Sequence, residues 1–196
     1  MGYSQAQKAE SRRRVLDVAA RQIRENGIEA LGVADCMRSA GLTHGAFYGH
    51  FTSRDALIAA ALEHALTQGK GRVMARANDA VAHAKTPLQS ITDAYLSETH
   101  VDNPGSGCAL CALAGDAGHA TAELKALYTT HLRQLAAQIT RASGSGDEAV
   151  GLGIAATIVG AITLARAVDD RELAQSILAG AHALVMTQDG ACVDEV

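Results

Sequence analysis

Residues 33–51, VADCMRSAGLTHGAFYGHF, decide how the rest of the chain is read. Ala34, Cys36, Met37 and Ala40 give a short helix an apolar face, and Gly41 supplies the residue that ends it. Thr43 is placed to cap a second helix beginning at His44. Two short helices meeting across a tight, glycine-containing turn make a helix-turn-helix, whose second helix is offered to the DNA major groove. Over His44–Phe51 the spacing predicts that Phe47 and Phe51, four apart, anchor that helix to a core. His44, Gly45, Ala46, Tyr48 and His50 then remain for contact. Gly45 and Gly49 each cost such a helix about 1 kcal/mol relative to alanine, so its shape must depend on the phenylalanine packing.

The run GLTHGAFYGHF (Gly41–Phe51), followed by TSRDALIAAAL (Thr52–Leu62), resembles the DNA-binding domain of the TetR family of bacterial transcriptional regulators. The resemblance reaches back to about Ser11 and covers roughly the first third of the chain. It implies an all-α protein, with an N-terminal three-helix helix-turn-helix DNA-binding head over 1–53 and a helical ligand-binding and dimerisation body over 54–196. On that pattern Thr43, His44, Gly45 and Ala46 belong to the DNA-facing set. Tyr48 and His50 resemble the family's phosphate-touching positions, and Arg54 resembles its basic phosphate contact. Relatives often carry threonine at the start of the second helix, where this chain has Gly32-Val33, so Val33 and Ala34 are poor DNA contacts here.

With 48% hydrophobic and only 3% aromatic residues, the 196-residue chain must pack aliphatic and alanine side chains. Two prolines and no alternating pattern point to helices throughout. The net charge of −4 argues against a nucleic-acid binder until its distribution is read. Between Met1 and Arg24, six basic residues face Glu10 and Asp17, so this segment carries +4 and the remainder −8. A local basic patch decides where phosphate is attracted, and Arg12–Arg14, with Arg12 and Arg14 foremost, form a candidate phosphate clamp.

The first helix spans Ser11–Asn26, with Val15, Leu16, Ala19 and Ile23 on one face, and Gly27 ends it. Ser53 caps a helix that Gly69 and Gly71 are expected to interrupt before a further run, Arg72–His83. Pro87 starts a helix to about Thr99, DNPGSG (102–107) is a loop, and CALCALAGDAG (108–118) is a short helix broken by glycines. A long helix around Leu124–Ile139 precedes a Ser-Gly turn and a closing pair, Asp147–Val168 and Asp170–Gln188. Gly153 and Gly160, with Ala156 and Ala161 beside them, and Leu173, Ile177, Gly180, Ala181 and Leu184 across from them, leave an apolar seam. Pairing with a symmetry mate would cover that seam, giving a homodimer through the last two helices.

Ala149–Ala165 carries no charge over 17 residues, the lower limit for a membrane span, but its Gly, Ala and Thr content suits a buried interface. No secretory signal opens the chain, so the expectation is a cytoplasmic protein with no membrane partner.

Four cysteines in such a chain do not suggest a disulfide scaffold. Cys36 reads as a small hydrophobe and Cys192 as part of a frayed tail. Cys108 and Cys111 form a C-x-x-C at a helix start, where thiolates are favoured, and are redox candidates. Zinc would need two more ligands, with His100 or His119 folding back, and no metal is assigned. Tyr95, Tyr128 and His131, in the 88–139 body, are candidate effector contacts. No acid/base pair, nucleophile constellation or phosphate loop is visible, so neither enzyme activity nor a cofactor is expected.

The reading is therefore a TetR-like repressor that binds a palindromic double-stranded operator and is released by a small-molecule effector. A thiol-based redox or electrophile-sensing regulator, and a helical interaction module that ignores DNA, are the alternatives.

Overall fold

The computed structural model describes residues 5–79 and 84–190, and these are helical without a strand. Helix α1 (Gln5–Asn26) buries Val15, Leu16, Ala19, Ala20 and Ile23 at helical spacing. It ends at Gly27, whose φ of +87° a side chain would resist. Ile28 and Leu31 then return the chain to the core. Helix α2 (Val33–Ser39) buries Cys36 and Met37, but Ala34, expected on the apolar face, is exposed. Gly41 turns the chain at φ +71°.

The groove-facing segment departs from the expected α-helix over His44–Phe51. It is a 3₁₀ helix spanning His44–Gly49. Thr43 occupies the cap position without a side-chain cap bond, and only its carbonyl oxygen is used, accepting from Ala46 N–H at 3.1 Å. Gly45 and Gly49 withhold the propensity that a longer regular helix would need.

Helix α3 (Arg54–Asp79) starts under the Ser53 hydroxyl, which accepts from Ala56 N–H at 3.0 Å. It runs through Gly69 and Gly71 without the expected break, because α1 and the helices Pro87–Tyr95 and Ala122–Ser143 pack along it. Tertiary burial outweighs the cost of two glycines. The end of the expected run at His83 lies outside the described residues, as does Cys192.

Helix α4 (Pro87–Tyr95) is capped by Thr86 and stops four residues short of the expected end. Ser97 caps a separate short helix, α5 (Glu98–Asp102). A 3₁₀ turn at Pro104–Ser106 leads to α6 (Ala109–Ala112) and α7 (Ala114–His119), so Gly115 and Gly118 lie inside a helix rather than breaking one. Helices α8 (Ala122–Ser143), α9 (Glu148–Ala167) and α10 (Arg171–Met186) follow, capped by Thr121, Asp147 and Asp170. At Gly151, a Cβ would stand 2.6 Å from the Ala136 carbonyl oxygen, so α8 and α9 approach closely only because that side chain is missing.

A single hydrophobic core joins the N-terminal helices to the body, from Val15 and Phe47 through Leu57 to Ile139, Ile158 and Val185. Helix α9 is long and apolar enough to cross a membrane by length and composition, with a mean hydropathy of 1.8. Here it packs between α8 and α10.

Candidate nucleic-acid interface

Phe47 and Phe51 hold the 3₁₀ segment from inside: both are buried, and their rings stack with centroids 5.9 Å apart. That fixes what faces outward. Thr43, His44 and Gly45 are exposed, Tyr48 is 72% exposed, and Ala46 is half-buried against the core. The Tyr48 ring stands edge-on to Phe47 at 5.2 Å, which directs its hydroxyl end away from the core.

Helix α1 crosses behind this segment and supplies its charge. The Arg12 guanidinium lies 5.0 Å above the Phe51 ring, a cation–π contact that fixes it beside the segment. Arg14 is exposed, and its guanidinium reaches the Gly41 turn. Arg13 differs from its neighbours. Its guanidinium donates to Glu10 at 2.7 Å and Asp17 at 3.1 Å, which removes it from the clamp expected of Arg12–Arg14.

His50 registers the local field. Burial first, then the positive charges of Lys8 and Arg12, hold its pKa below the ordinary histidine value. Its Nδ1 is buried without a hydrogen-bond partner. Lys8 and Arg12 thus place two positive charges beside a His50 ring that they hold toward its neutral form. Lys8, one of the six basic residues of the N-terminal segment, joins the candidate contacts because it shares a face of α1 with Arg12 at a spacing of four.

Arg54 takes a role the resemblance did not suggest. Its guanidinium donates to the carbonyl of Leu31 at 3.1 Å and of Glu29 at 2.8 Å, pinning the turn between α1 and α2. The side chain is still 38% exposed, so the phosphate contact that the resemblance implies for Arg54 would be made from this pinned position.

In the body, Tyr95 and His131 line one crevice together with Leu66, Gly69, Cys108 and Gln138. Tyr128 does not line it, because its hydroxyl donates to the Leu110 carbonyl at 2.8 Å. His131 Nε2 also pairs with Glu63 at 3.1 Å. The cavity measures about 20 Å³, room for about one water, so the three expected effector contacts do not enclose a drug-sized space. Among the described residues, no cluster of three or more His, Cys, Asp or Glu could hold a metal. Cys36, sealed in the head, has its thiol pushed up to about 11 by burial and acts as a packing residue.

Fold and interface together define a helix-turn-helix head on a helical body. Residues 15–61 match the family of bacterial regulatory proteins described as the tetR family. Over 90 residues the chain is 31% identical to the uncharacterized HTH-type transcriptional regulator YvdT of Bacillus subtilis. That match covers 44% of this chain and 42% of that one, so it spans less than half of the relative's length. Among solved structures, a TetR-family regulator from Cytophaga hutchinsonii superimposes with a TM-score of 0.73 at 18% identity, covering 97% of this chain and 99% of that one. A TetR regulator from Chloroflexus aurantiacus gives 0.71 at 20% identity, covering 93% and 95%. The head at residues 15–61 is thus similar to that of the tetR family, and the whole chain has the fold of the solved TetR-family structures.

Proposed function

We propose that the protein is a homodimeric, DNA-binding transcriptional repressor acting in the cytoplasm on a palindromic operator. The observation that carries this reading is the exposed Thr43, His44, Gly45 and Tyr48 surface, flanked by the positive charges of Lys8 and Arg12 around His50, on an otherwise acidic chain. Lys8, Arg12, His50 and Tyr48 position the duplex through phosphate, while His44 reads a base edge and Ala46 a thymine methyl. Residues 1–53 act as the head and 54–196 as the body, with α1 fastened to both.

Dimerisation through α9 and α10 is supported by an apolar face left open in one chain. Leu152, Leu164, Leu173 and Leu184 are between 42% and 58% exposed, and Gly153, Gly160 and Gly180 have nothing within 4 Å of a would-be Cβ. Ala161, expected at the same seam, instead faces its own core. Two such hairpins make a four-helix interface. Release by a small molecule requires a ligand that binds the DNA-incompetent state more tightly, and the crevice beside Tyr95 and His131 would have to open to admit it.

The test is duplex affinity as a function of salt, measured by fluorescence anisotropy. The proposal expects a steep linear fall of log K with log salt, and a flat response would exclude the phosphate-positioning role.

A further inference from the structure

In the body, Cys108 and Cys111 are both buried at the start of α6. The head instead carries an exposed cation, Arg12, on a stack of aromatic rings. Nothing local holds the His44–Gly49 segment to its 3₁₀ pitch. Thr43 gives it no side-chain cap bond, and at Gly45 and Gly49 a Cβ would meet nothing within 4 Å. Two glycines in so short a helix add no propensity, so its shape depends on how its rings pack.

Four rings follow one another along it. His50 and Phe51 lie tilted with centroids 6.4 Å apart, Phe51 and Phe47 stack at 5.9 Å with 26° between their planes, and Tyr48 stands edge-on to Phe47 at 5.2 Å. Stacked and edge-to-face pairs have preferred geometries set by the ring quadrupole, so a shift of one ring is felt by the next. Phe47 and Phe51 are buried, whereas Tyr48 is exposed on the face offered to DNA. The stack therefore links the core of the head to its outer surface.

Arg12 covers the other end of this stack. Its guanidinium carbon is 5.0 Å from the Phe51 ring centroid, a cation–π contact. Its charge also bears on His50, the neighbour of Phe51. Among the described residues Arg12 has no ion pair, whereas the adjacent Arg13 is held by Glu10 at 2.7 Å and Asp17 at 3.1 Å. With no carboxylate to draw it elsewhere, the Arg12 side chain takes its place from the ring.

A planar guanidinium can lie against an aromatic face and still turn edge N–H groups to a phosphate, whereas an ammonium is a compact, strongly hydrated point charge. Arg12 thus combines two properties, its charge and its hold on Phe51. Replacement by lysine keeps the first and weakens the second.

We propose that Arg12 is a positioning residue for sequence discrimination, acting through Phe51 and Phe47 to fix the His44–Gly49 segment and the direction of Tyr48. The effect on DNA rests on the repressor reading, but the hold on the segment is a property of the free protein.

Full-length Arg12→Lys tests this against wild type on two duplexes, the sequence recovered by selection with wild-type protein and a scrambled one of the same length and composition. Anisotropy titrations over a salt series should show the salt slope retained, because that slope counts charges. Affinity for the selected duplex should fall by about tenfold and that for the scrambled duplex by less than about twofold, so discrimination narrows. In the free protein, amide exchange over His44–Phe51 should quicken by about threefold with no change in α9. Phe51→Leu removes the ring face and keeps an apolar side chain. It should narrow discrimination in the same way, and adding Arg12→Lys to it should narrow it no further.

Equal exchange in wild type and Arg12→Lys, or equal losses on both duplexes, would overturn the proposal and leave Arg12 as a phosphate charge only. Narrowed discrimination without faster exchange would also overturn it, since the fault would then lie in Arg12's own contact with DNA. A wild-type protein that selects no duplex would instead indict the repressor reading, while amide exchange in Arg12→Lys and Phe51→Leu still decides the hold on the segment.

Discussion

Arg24, buried at the end of α1, donates through Nε to the carbonyl of Gly105 at 2.7 Å, across 81 positions of sequence. A second nitrogen, Nη1, donates to Gln68 of α3 at 3.1 Å. One side chain thus ties α1 to α3 and to the loop before α6. Replacing it with methionine keeps much of the volume but strands the buried Gly105 carbonyl, a loss on the order of 1–3 kcal/mol. Thermal unfolding should show the drop, and hydrogen exchange should place the loosening at the end of α1.

Gly151 and Gly153 separate the two uses of glycine in α9. Gly151→Ala pushes a Cβ toward the Ala136 carbonyl and should destabilise the protein by about 1–3 kcal/mol, read by urea unfolding. At Gly153 the same addition meets nothing within 4 Å, so alanine should be tolerated. A leucine at Gly153 should leave the protomer folded and weaken dimerisation, which sedimentation equilibrium reads directly.

His50 should make DNA binding depend on pH. In the free protein, burial, Lys8 and Arg12 keep it neutral to below the ordinary histidine pKa. A DNA phosphate placed in that cluster favours the charged ring, so binding takes up a proton. Affinity should therefore rise as pH falls from about 7.5 toward 6 and level off once the free protein is itself protonated. His50→Gln should flatten the profile. The stability linkage has the opposite sense: the folded protein binds this proton less readily than the unfolded chain, so His50 contributes stability that is lost as pH falls below the ordinary histidine value.

Lys8, part of the basic N-terminal segment but given no contact from the sequence, and His44 should separate position from specificity. Lys8→Ala should weaken binding to all duplexes alike and reduce the salt slope by about one. His44→Ala should change the preferred base at one position of each half-site while leaving the salt slope closer to that of wild type. Binding titrations on matched and single-substituted duplexes distinguish the two.

The helix-turn-helix could be read in the sequence because Phe47, Phe51 and the Gly41 stop are local signals. The form of the recognition segment could not, since whether two glycines allow an α-turn or a 3₁₀ turn depends on what Phe47 and Phe51 meet in the core. Gly69 shows the same limit in reverse: its helix continues because neighbours pack along it, and a Cβ there would sit 3.7 Å from the Cys108 sulfur. Arg54, with the exposure and charge of a phosphate contact, is directed by carbonyls at Glu29 and Leu31 that no spacing rule reveals. Arg13 could have been set apart from Arg12 and Arg14, because Glu10 and Asp17 stand three and four residues from it on the same helix.

The central claim is that a dimer of this chain presents two copies of the His44–Gly49 segment to one duplex. Selection of bound sequences from a random double-stranded pool by the purified protein tests it most directly. The expected result is enrichment of an inverted repeat whose half-sites lie about 34–36 Å apart, one helical turn along the DNA. A recovered pool no richer in any sequence than the input would contradict the claim.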